Sequence, residues 1–171
     1  MNARPILDSL ARVFDEVGLE VILIGNAAAA LQAAPVTTID FDFLFRKTPR
    51  NMEKLKAVAE SLQGTILRPF YPSSDLFRLV RDEDSLQVDF MTTIHGVTSF
   101  ASLRSRARPL DFSGHSLLVA DLADIIRSKR AAGRPRDNAV LDILEKTLGA
   151  QVLDEKARNK KAKTRRSPGG K

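Results

Sequence analysis

Apolar positions along this chain recur with two different periods, and each period predicts a different kind of element. Intervals of three or four residues favour amphipathic helices, whereas alternation or short apolar runs favour strands. Helices are predicted over residues 5–17, 27–34, 48–62, 98–106, 120–132 and 135–148. Strands are predicted over residues 19–24, 39–45, 65–68, 76–80 and 85–91, with two more within 109–119 and a loop over 69–74. This order of elements predicts an α+β fold, in which helices flank a mixed central β-sheet and further helices follow at the C-terminus.

Residues 36–45, which read Val-Thr-Thr-Ile-Asp-Phe-Asp-Phe-Leu-Phe, combine strand alternation with two acidic positions. Because side chains alternate across a strand, the apolar and acidic residues separate onto opposite faces. One face carries Ile39, Phe41, Phe43 and Phe45, and the other carries Asp40, Asp42 and Leu44. Two carboxylates so close together repel each other unless one takes up a proton or a cation lies between them. Oxygen ligands of this kind suit Mg²⁺, although Asp-x-Asp also occurs by chance on exposed strand faces.

A third aspartate, Asp89, lies between Val88 and Phe90 in the apolar strand predicted over 85–91. A carboxylate in such a run is costly unless it is paired or bound to a metal. The strands over 76–80 and 85–91 are predicted to form a hairpin, so only a mixed sheet brings Asp89 beside Asp40 and Asp42. Three inward carboxylates on neighbouring strands would form a two-metal site for phosphoryl transfer.

Gly25 and Asn26 separate the strand over 19–24 from the helix over 27–34. The start of a helix presents free backbone N–H groups and the positive end of the helix dipole, which suit a phosphate. A glycine turn between a strand and a helix is also commonplace, so a purely structural role is the alternative.

The composition limits the classes of site. The 171 residues are 43% hydrophobic and 28% charged, which fits one globular domain over residues 1–150. The chain has no cysteine, which excludes disulfides, thiolate zinc sites and thiol nucleophiles. Its two histidines, His95 and His115, are far apart in sequence and are interpreted as a loop residue and a strand-edge residue. No apolar run approaches a membrane span and the N-terminus lacks a signal-peptide core, so we expect a soluble cytoplasmic protein.

The net charge of +6 comes from the C-terminal end of the chain. Eight basic residues lie within 156–171, and no acidic residue follows Glu155. Without those eight, 19 basic residues face 21 acidic ones, so the rest of the chain carries a charge of −2. Residues 151–171 are therefore predicted to be a basic, disordered tail. Such a tail could bind tRNA or another RNA through phosphates; alternatively, it only aids solubility or was added for expression.

Taken together, these motifs resemble the nucleotidyltransferase fold of the polymerase-beta superfamily. The resemblance covers about residues 19–148 and rests on Gly25-Asn26, Thr38-Ile-Asp40-Phe-Asp42 and Val88-Asp89-Phe90. The later residues Lys129, Gly133, Arg134 and Asp137 look like the Lys…Gly-Arg-x-x-Asp ending of a small bacterial branch. That branch includes the minimal nucleotidyltransferases and the abortive-infection-type toxin enzymes.

The resemblance implies a role for each matched position. Asp40 and Asp42 would bind two Mg²⁺ ions and the nucleoside triphosphate (NTP), and Asp89 would bind the catalytic metal and help to deprotonate the acceptor hydroxyl. The other implied nucleotide-binding positions are Gly25, Asn26, Thr38, Lys129 and Arg134. Gly25 and Asn26 would hold the β- and γ-phosphates, although the family usually has Gly-Gly or Gly-Ser there. Lys129 would add charge near the triphosphate, and Arg134 and Asp137 would shape the pocket or pair with each other. The alternatives are a solvated helix face for Lys129 and an ordinary ion pair for Arg134 and Asp137.

The sequence therefore predicts an enzyme that moves a nucleoside monophosphate from an NTP to a hydroxyl and releases pyrophosphate. An RNA 3′ end, a side chain of a cognate toxin or antitoxin protein, or a small molecule are the acceptors left open. A second hypothesis is a catalytically weakened module of the same fold that binds a nucleotide or a partner protein. A third, nucleic-acid binding through the tail alone, is disfavoured by the slight acidity of the remaining chain.

Overall fold

A seven-stranded sheet forms the centre of the protein in a computed structural model, which describes residues 4–38, 40–68 and 75–165. The described helices are α1 (Arg4–Val17), α2 (Gly25–Ala30), α3 (Pro49–Ser61), α4 (Phe100–Arg104), α5 (Leu122–Ala132) and α6 (Pro135–Arg165). The described strands are β1 (Val21–Ile24), β2 (Phe41–Phe45), β3 (Thr65–Leu67), β4 (Leu76–Arg81), β5 (Leu86–Met91), β6 (Arg108–Phe112) and β7 (His115–Val119). The predicted loop over 69–74 lies outside the described residues.

The strands lie in the order β3-β4-β5-β2-β1-β7-β6. The pairs β2–β5 and β1–β7 are parallel, and the other four neighbouring pairs are antiparallel. This arrangement confirms the predicted α+β class and the mixed sheet. It also confirms the hairpin of β4 and β5. Because β5 pairs in parallel with β2, the third aspartate lies next to the Asp-x-Asp strand.

One face of the sheet carries a cluster of phenylalanines beneath α1. Phe14 of α1 meets Phe43 edge-on, with ring centroids 5.1 Å apart, and Phe43 stacks on Phe90 at 5.7 Å. Phe43 and Phe90 are fully buried. Burial of such large aromatic side chains is a major source of stability. The predicted separation of the phenylalanines and the aspartates onto opposite faces of β2 is confirmed, and the face opposite the phenylalanines carries the aspartates of β2 and β5.

Helix caps were among the most predictable local features. The Thr48 hydroxyl accepts a hydrogen bond from the Asn51 backbone N–H, and Pro49 occupies the first turn of α3, as the sequence predicts. Asp121 caps α5 in the same way, and α5 ends at Gly133, whose φ of +63° is left-handed.

The strand predicted over 39–45 begins later, at Phe41. Its neighbour β1 ends at Ile24, which pairs with Asp42, and the chain then turns into α2 at Gly25. Residues before Phe41 therefore have no β1 backbone to pair with, and Asp40 lies just outside the strand. Ile39, predicted for the apolar face, lies outside the described residues.

Two short helices also differ from their predicted bounds. α2 begins at Gly25, two residues early, and ends at Ala30, after which Ala33 adopts a left-handed φ of +64° ahead of Pro35. α4 is limited to Phe100–Arg104, and the Ser99 hydroxyl caps its start by accepting from the Ser102 N–H.

The last helix is longer than predicted. α6 continues to Arg165 and does not end at residue 148, so residues 151–165 are helical where a disordered tail was expected. The residues after Gly149 are mostly strong helix formers, and the next proline is Pro168. The Gln151 side chain also ties the helix to the body by donating to the Gln32 carbonyl at 2.6 Å. Residues 166–171 lie outside the described part of the chain. No described helix, α6 included, combines the length and hydrophobicity of a membrane span.

Candidate active site

Sheet register brings two of the three aspartates side by side. Asp42 of β2 is aligned with Asp89 of β5, and aligned residues of parallel strands point to the same face about 4.8 Å apart. Asp40 precedes β2 by one residue and joins them at a cleft of about 980 Å³. The juxtaposition that the sequence predicted for Asp40, Asp42 and Asp89 is present.

Ionisation of Asp42 is opposed by its surroundings. Burial, followed by the charges of Asp40 and Asp89, raises the pKa of Asp42 to about 6. The charges of Lys129 and Arg136 act in the opposite direction and lower this pKa. The cleft therefore has an acidic wall on β2 and β5 and basic residues on α5 and α6 that interact with it across the space between.

Only glycine fits at position 25, for reasons of backbone conformation and of space. Its φ is +68°, in the left-handed region, and a Cβ built on it would lie 2.6 Å from the Oδ2 atom of Asp42. Real Cβ atoms do not approach another atom so closely, so any side chain here would push the Asp42 carboxylate away. The backbone at Gly25 thus approaches an aspartate of the site as only glycine permits.

Asn26 and Thr38 are oriented differently from their predicted roles. The Asn26 Nδ2 group donates to the Thr37 carbonyl at 3.3 Å, while its buried Oδ1 atom has no hydrogen-bond partner among the described residues. The Thr38 hydroxyl donates to the Asp40 carbonyl at 2.6 Å and does not line the cleft. Thr38 therefore shapes the chain ahead of Asp40, and the free polar atom of Asn26 is an acceptor.

Arg78 is a site residue that the sequence interpretation missed. Its Nε and Nη2 atoms donate to the two oxygens of Asp89, each at 2.7 Å, so the pair is bidentate. Asp89 is only 6% exposed, and this pairing compensates for its burial. The signal was present: Arg78 interrupts the apolar strand β4, and hairpin register places it opposite Asp89.

Lys129, Arg134 and Asp137 form one ion-pair cluster at the junction of α5 and α6. Lys129 Nζ lies 3.0 Å from Oδ1 of Asp137, and Arg134 Nε lies 2.7 Å from Oδ2. Burial alone would raise the pKa of Asp137, but hydrogen bonds from Lys129 and Arg134 hold it below its ordinary value. The Lys129 side chain is 12% exposed, so the solvated-face alternative is wrong for it, and Arg134 and Asp137 do pair.

Three further residues of the cleft had no predicted role. Arg136, from the first turn of α6, lines it, as does His95 from the predicted loop after β5. Asp124 of α5 also lines the cleft but is 2% exposed and is held by Arg106 and Arg127. The other histidine, His115, lies on β7 and contacts Asp15 at 3.0 Å, outside this cleft.

The carboxylate oxygens of the described cleft are the type of ligand that a divalent cation binds, but they do not converge on one point. Among the described residues, no group of three or more histidine, cysteine, aspartate or glutamate side chains converges closely enough to hold a metal. Burial and, after it, the charge of Asp40 nevertheless raise the pKa of Asp42, so a cation between the two carboxyls would be favourable. Hard oxygen ligands are those that Mg²⁺ takes. Both oxygens of Asp89 are meanwhile engaged by Arg78.

Comparison with known proteins gives the fold its context. No family model and no curated protein matches the sequence. Among solved structures, the antibiotic-resistance factor ANT(2'')-Ia in solution is similar with a TM-score of 0.61 and 16% identity, covering 94% of each chain. Its crystal structure with adenylyl-2''-tobramycin also gives 0.61 and 16%, over 90% of this chain and 94% of that one. A candidate nucleotidyltransferase of Thermotoga maritima gives 0.60 and 16%, over 85% and 92%. The chain therefore has the nucleotidyltransferase fold.

Proposed function

We propose that this protein is a Mg²⁺-dependent nucleotidyltransferase that moves a nucleoside monophosphate from an NTP to a hydroxyl acceptor. One observation carries the proposal: Asp42 and Asp89 lie in register on one face of the sheet, with Asp40 beside them and the Gly25 backbone against the Asp42 carboxylate. The fold, shared with nucleotidyltransferases, supports the same assignment.

The reaction we propose exchanges one phosphorus–oxygen bond for another. The acceptor oxygen bonds to the α-phosphorus, the bond from that phosphorus to the bridging oxygen breaks, and pyrophosphate leaves. Two Mg²⁺ ions, when bound, would supply charge neutralisation and Lewis-acid assistance. The protein positions the reactants and supplies charge, and no covalent intermediate is needed.

Individual residues take the following roles in this proposal. Asp40 and Asp42 would hold the Mg²⁺ ions. Asp89 would complete the metal site and take the proton of the acceptor hydroxyl. Both Asp89 oxygens accept hydrogen bonds from Arg78, so Arg78 must release or share one of these oxygens for Asp89 to act. The positively charged groups of Lys129 and Arg134 would attract the triphosphate. Thr38 would act indirectly, by fixing the backbone of Asp40.

The start of α2 is the phosphate-binding segment in this proposal. Backbone N–H groups at Gly25 and Asn26 would donate to the β- and γ-phosphates, as they do at other helix starts. The Asn26 amide adds little, because its Nδ2 group already donates to the Thr37 carbonyl and its free atom is an acceptor. Replacement of a second glycine or a serine by Asn26 therefore weakens this grip relative to the usual family pattern.

We propose an RNA 3′ end, as in tRNA, or a hydroxyl side chain of a partner protein as the acceptor, in the context of a toxin–antitoxin system. The basic residues of the last turns of α6 favour RNA, because they would contact phosphates. The cytoplasm, where NTPs and Mg²⁺ are abundant, is the compartment proposed for this reaction. ANT(2'')-Ia has been captured with adenylyl-2''-tobramycin, so aminoglycosides belong among the small-molecule acceptors to be tried.

A label-transfer experiment tests the proposal. Purified protein is incubated with Mg²⁺ and NTPs labelled either at the α- or at the γ-phosphate, together with total RNA, a protein extract or an aminoglycoside panel. Nucleotidyl transfer predicts that the α-label, never the γ-label, becomes attached to one class of acceptor. Asp89→Asn should abolish the transfer while the protein stays folded, and Asp142→Asn, a surface control on α6, should not change it. A well-folded Asp89→Asn protein that remains fully active would disprove the role of Asp89.

Two contacts favour a second candidate, a catalytically weakened module that binds nucleotide or a partner. Arg78 engages both oxygens of Asp89, and the Asn26 amide is committed to the Thr37 carbonyl. Against this reading, three clustered aspartates would be a costly remnant in a protein that no longer binds metal. NTP binding that depends on Mg²⁺, combined with no label transfer to any acceptor class, would favour this second candidate.

A further inference from the structure

Four lysine or arginine side chains line the cleft, and three of them are already paired with carboxylates. The four are Arg78, Lys129, Arg134 and Arg136. Arg78 is bound to Asp89, whereas Lys129 and Arg134 share the single carboxylate of Asp137. Arg136 makes no hydrogen bond or ion pair with any residue in the described parts of the chain. Its guanidinium is therefore the uncommitted cation of the described cleft.

Arg136 lines the same cleft as the aspartates of β2 and β5. It follows Pro135 in the first turn of α6, is exposed and lines the cleft. Its charge also acts on Asp42, whose pKa it lowers, so it interacts with that carboxylate across the cleft. A guanidinium presents a planar fork of N–H donors that matches two oxygens of a phosphate.

The balance of charge in the cleft explains why an uncommitted cation matters. Six aspartates line the cleft, against the four lysine and arginine residues: Asp40, Asp42, Asp75, Asp89, Asp124 and Asp137. A polyphosphate entering this space is repelled unless some positive charge is not already neutralised by a carboxylate. Lys129 and Arg134 share one carboxylate and keep only part of their charge, whereas Arg136 has no carboxylate partner among the described residues.

We infer that Arg136 binds the triphosphate of the substrate, and through it the departing pyrophosphate. This inference rests on the proposed function and adds a residue to it. A guanidinium on the β- and γ-phosphates would stay with them as the bond to the α-phosphorus breaks. Arg136 would thus favour both capture of the NTP and departure of the leaving group.

The chain offers a closely matched control for a test of this inference. Arg50 follows Pro49 in the first turn of α3, just as Arg136 follows Pro135 in α6. Arg50 is likewise exposed, but it does not line the cleft. Arg136→Gln and Arg50→Gln therefore remove the same charge from equivalent helix positions. Arg136→Lys keeps the charge and removes the planar fork.

The experiment is a calorimetric titration with inorganic tripolyphosphate and with orthophosphate, at fixed ionic strength and Mg²⁺, on the wild type and the three variants. We expect Arg136→Gln to weaken tripolyphosphate binding at least about tenfold, the loss typical of a charged hydrogen bond. Arg136→Lys should lie between wild type and Arg136→Gln, and Arg50→Gln should match wild type. Binding of orthophosphate should change less than twofold in every variant. Thermal unfolding checks that each variant is folded.

Three results would overturn the inference: equal tripolyphosphate affinity of wild type and Arg136→Gln, an equal loss in Arg50→Gln, or no tripolyphosphate binding by the wild type. Failure of the proposed function is a separate result. It would appear as an absence of α-label transfer by wild type, whatever Arg136 does. Conversely, wild-type transfer combined with unchanged tripolyphosphate affinity in Arg136→Gln would leave the proposed function intact and reject Arg136 alone.

Discussion

Asp42 lies between two other carboxyls on a partly buried strand face, and its ionisation is therefore coupled to the stability of the fold. Burial and the charges of Asp40 and Asp89 raise its pKa from 3.8 to about 6. Because the folded state holds this proton more tightly than the unfolded state, the free energy of unfolding falls as pH rises from about 4 to about 6. Above that range the penalty is fully present.

Asp42→Asn should remove this penalty. We expect the variant to exceed the wild type in free energy of unfolding by about 2–3 kcal/mol at pH 7.5 in EDTA, and to gain almost nothing at pH 3.5. Urea denaturation at the two pH values measures this difference. Equal stabilisation at both pH values would show that the effect is not ionisation of Asp42. Addition of Mg²⁺ should stabilise the wild type and leave Asp42→Asn nearly unchanged.

At the scale of elements, the junction of β1 and α2 leaves room for the Asp42 carboxylate only because residue 25 is glycine. Gly25 has a left-handed φ of +68°, and a Cβ there would lie 2.6 Å from Asp42 Oδ2. Gly114, in the turn between β6 and β7, also has a left-handed φ, of +89°, but a Cβ there meets nothing within 4 Å. The two glycines therefore differ in whether an added methyl group touches the site.

Gly25→Ala should cost more than Gly114→Ala. The left-handed backbone alone costs an alanine about 1–2 kcal/mol, and Gly25→Ala should add a further loss by displacing Asp42. We expect Gly25→Ala alone to lose Mg²⁺-dependent nucleotide binding, as measured by calorimetry, whereas Gly114→Ala should bind as wild type does. Equal binding by both variants would contradict a role for this junction in the site.

Elements with strong local signals were predictable from sequence, and long-range pairs were not. Thr48 at the start of α3 and the hairpin of β4 and β5 depend on nearby residues, and both are confirmed. The start of β2 depends on where β1 ends in space, which the local pattern does not contain. The end of α6 was placed too early because the segment after Gly149 is highly charged and was interpreted as disordered. Its residues are mostly strong helix formers, and the helix continues to Arg165.

The same distinction applies to the candidate site. Asp40, Asp42 and Asp89 were predictable because acidic residues interrupt strongly apolar strands. Arg78 was missed although it interrupts the apolar strand β4 of a predicted hairpin. Arg136 was missed because its relation to those carboxyls depends on how α6 meets the cleft.

At the scale of the whole molecule, charge is divided between a slightly acidic body and the basic end of α6. If this end binds RNA, truncation after Glu155 should lower affinity for tRNA and reduce the salt dependence of binding, because fewer counterions are released. Gel-shift measurements at several salt concentrations test this. The truncation should leave NTP binding unchanged, since the residues that line the cleft all precede it. Unchanged tRNA affinity and salt dependence would exclude the helix end as an RNA-binding segment.

The central claim is that the aspartates beside Gly25 form a Mg²⁺-dependent nucleotide site. The most direct measurement is a calorimetric titration of the wild type and of Asp40→Asn/Asp42→Asn with each of the four NTPs, with and without Mg²⁺. We predict that at least one NTP binds the wild type only when Mg²⁺ is present, and that the double variant loses this binding while remaining folded. Absence of binding by every NTP, or binding that persists in the double variant, would contradict the account.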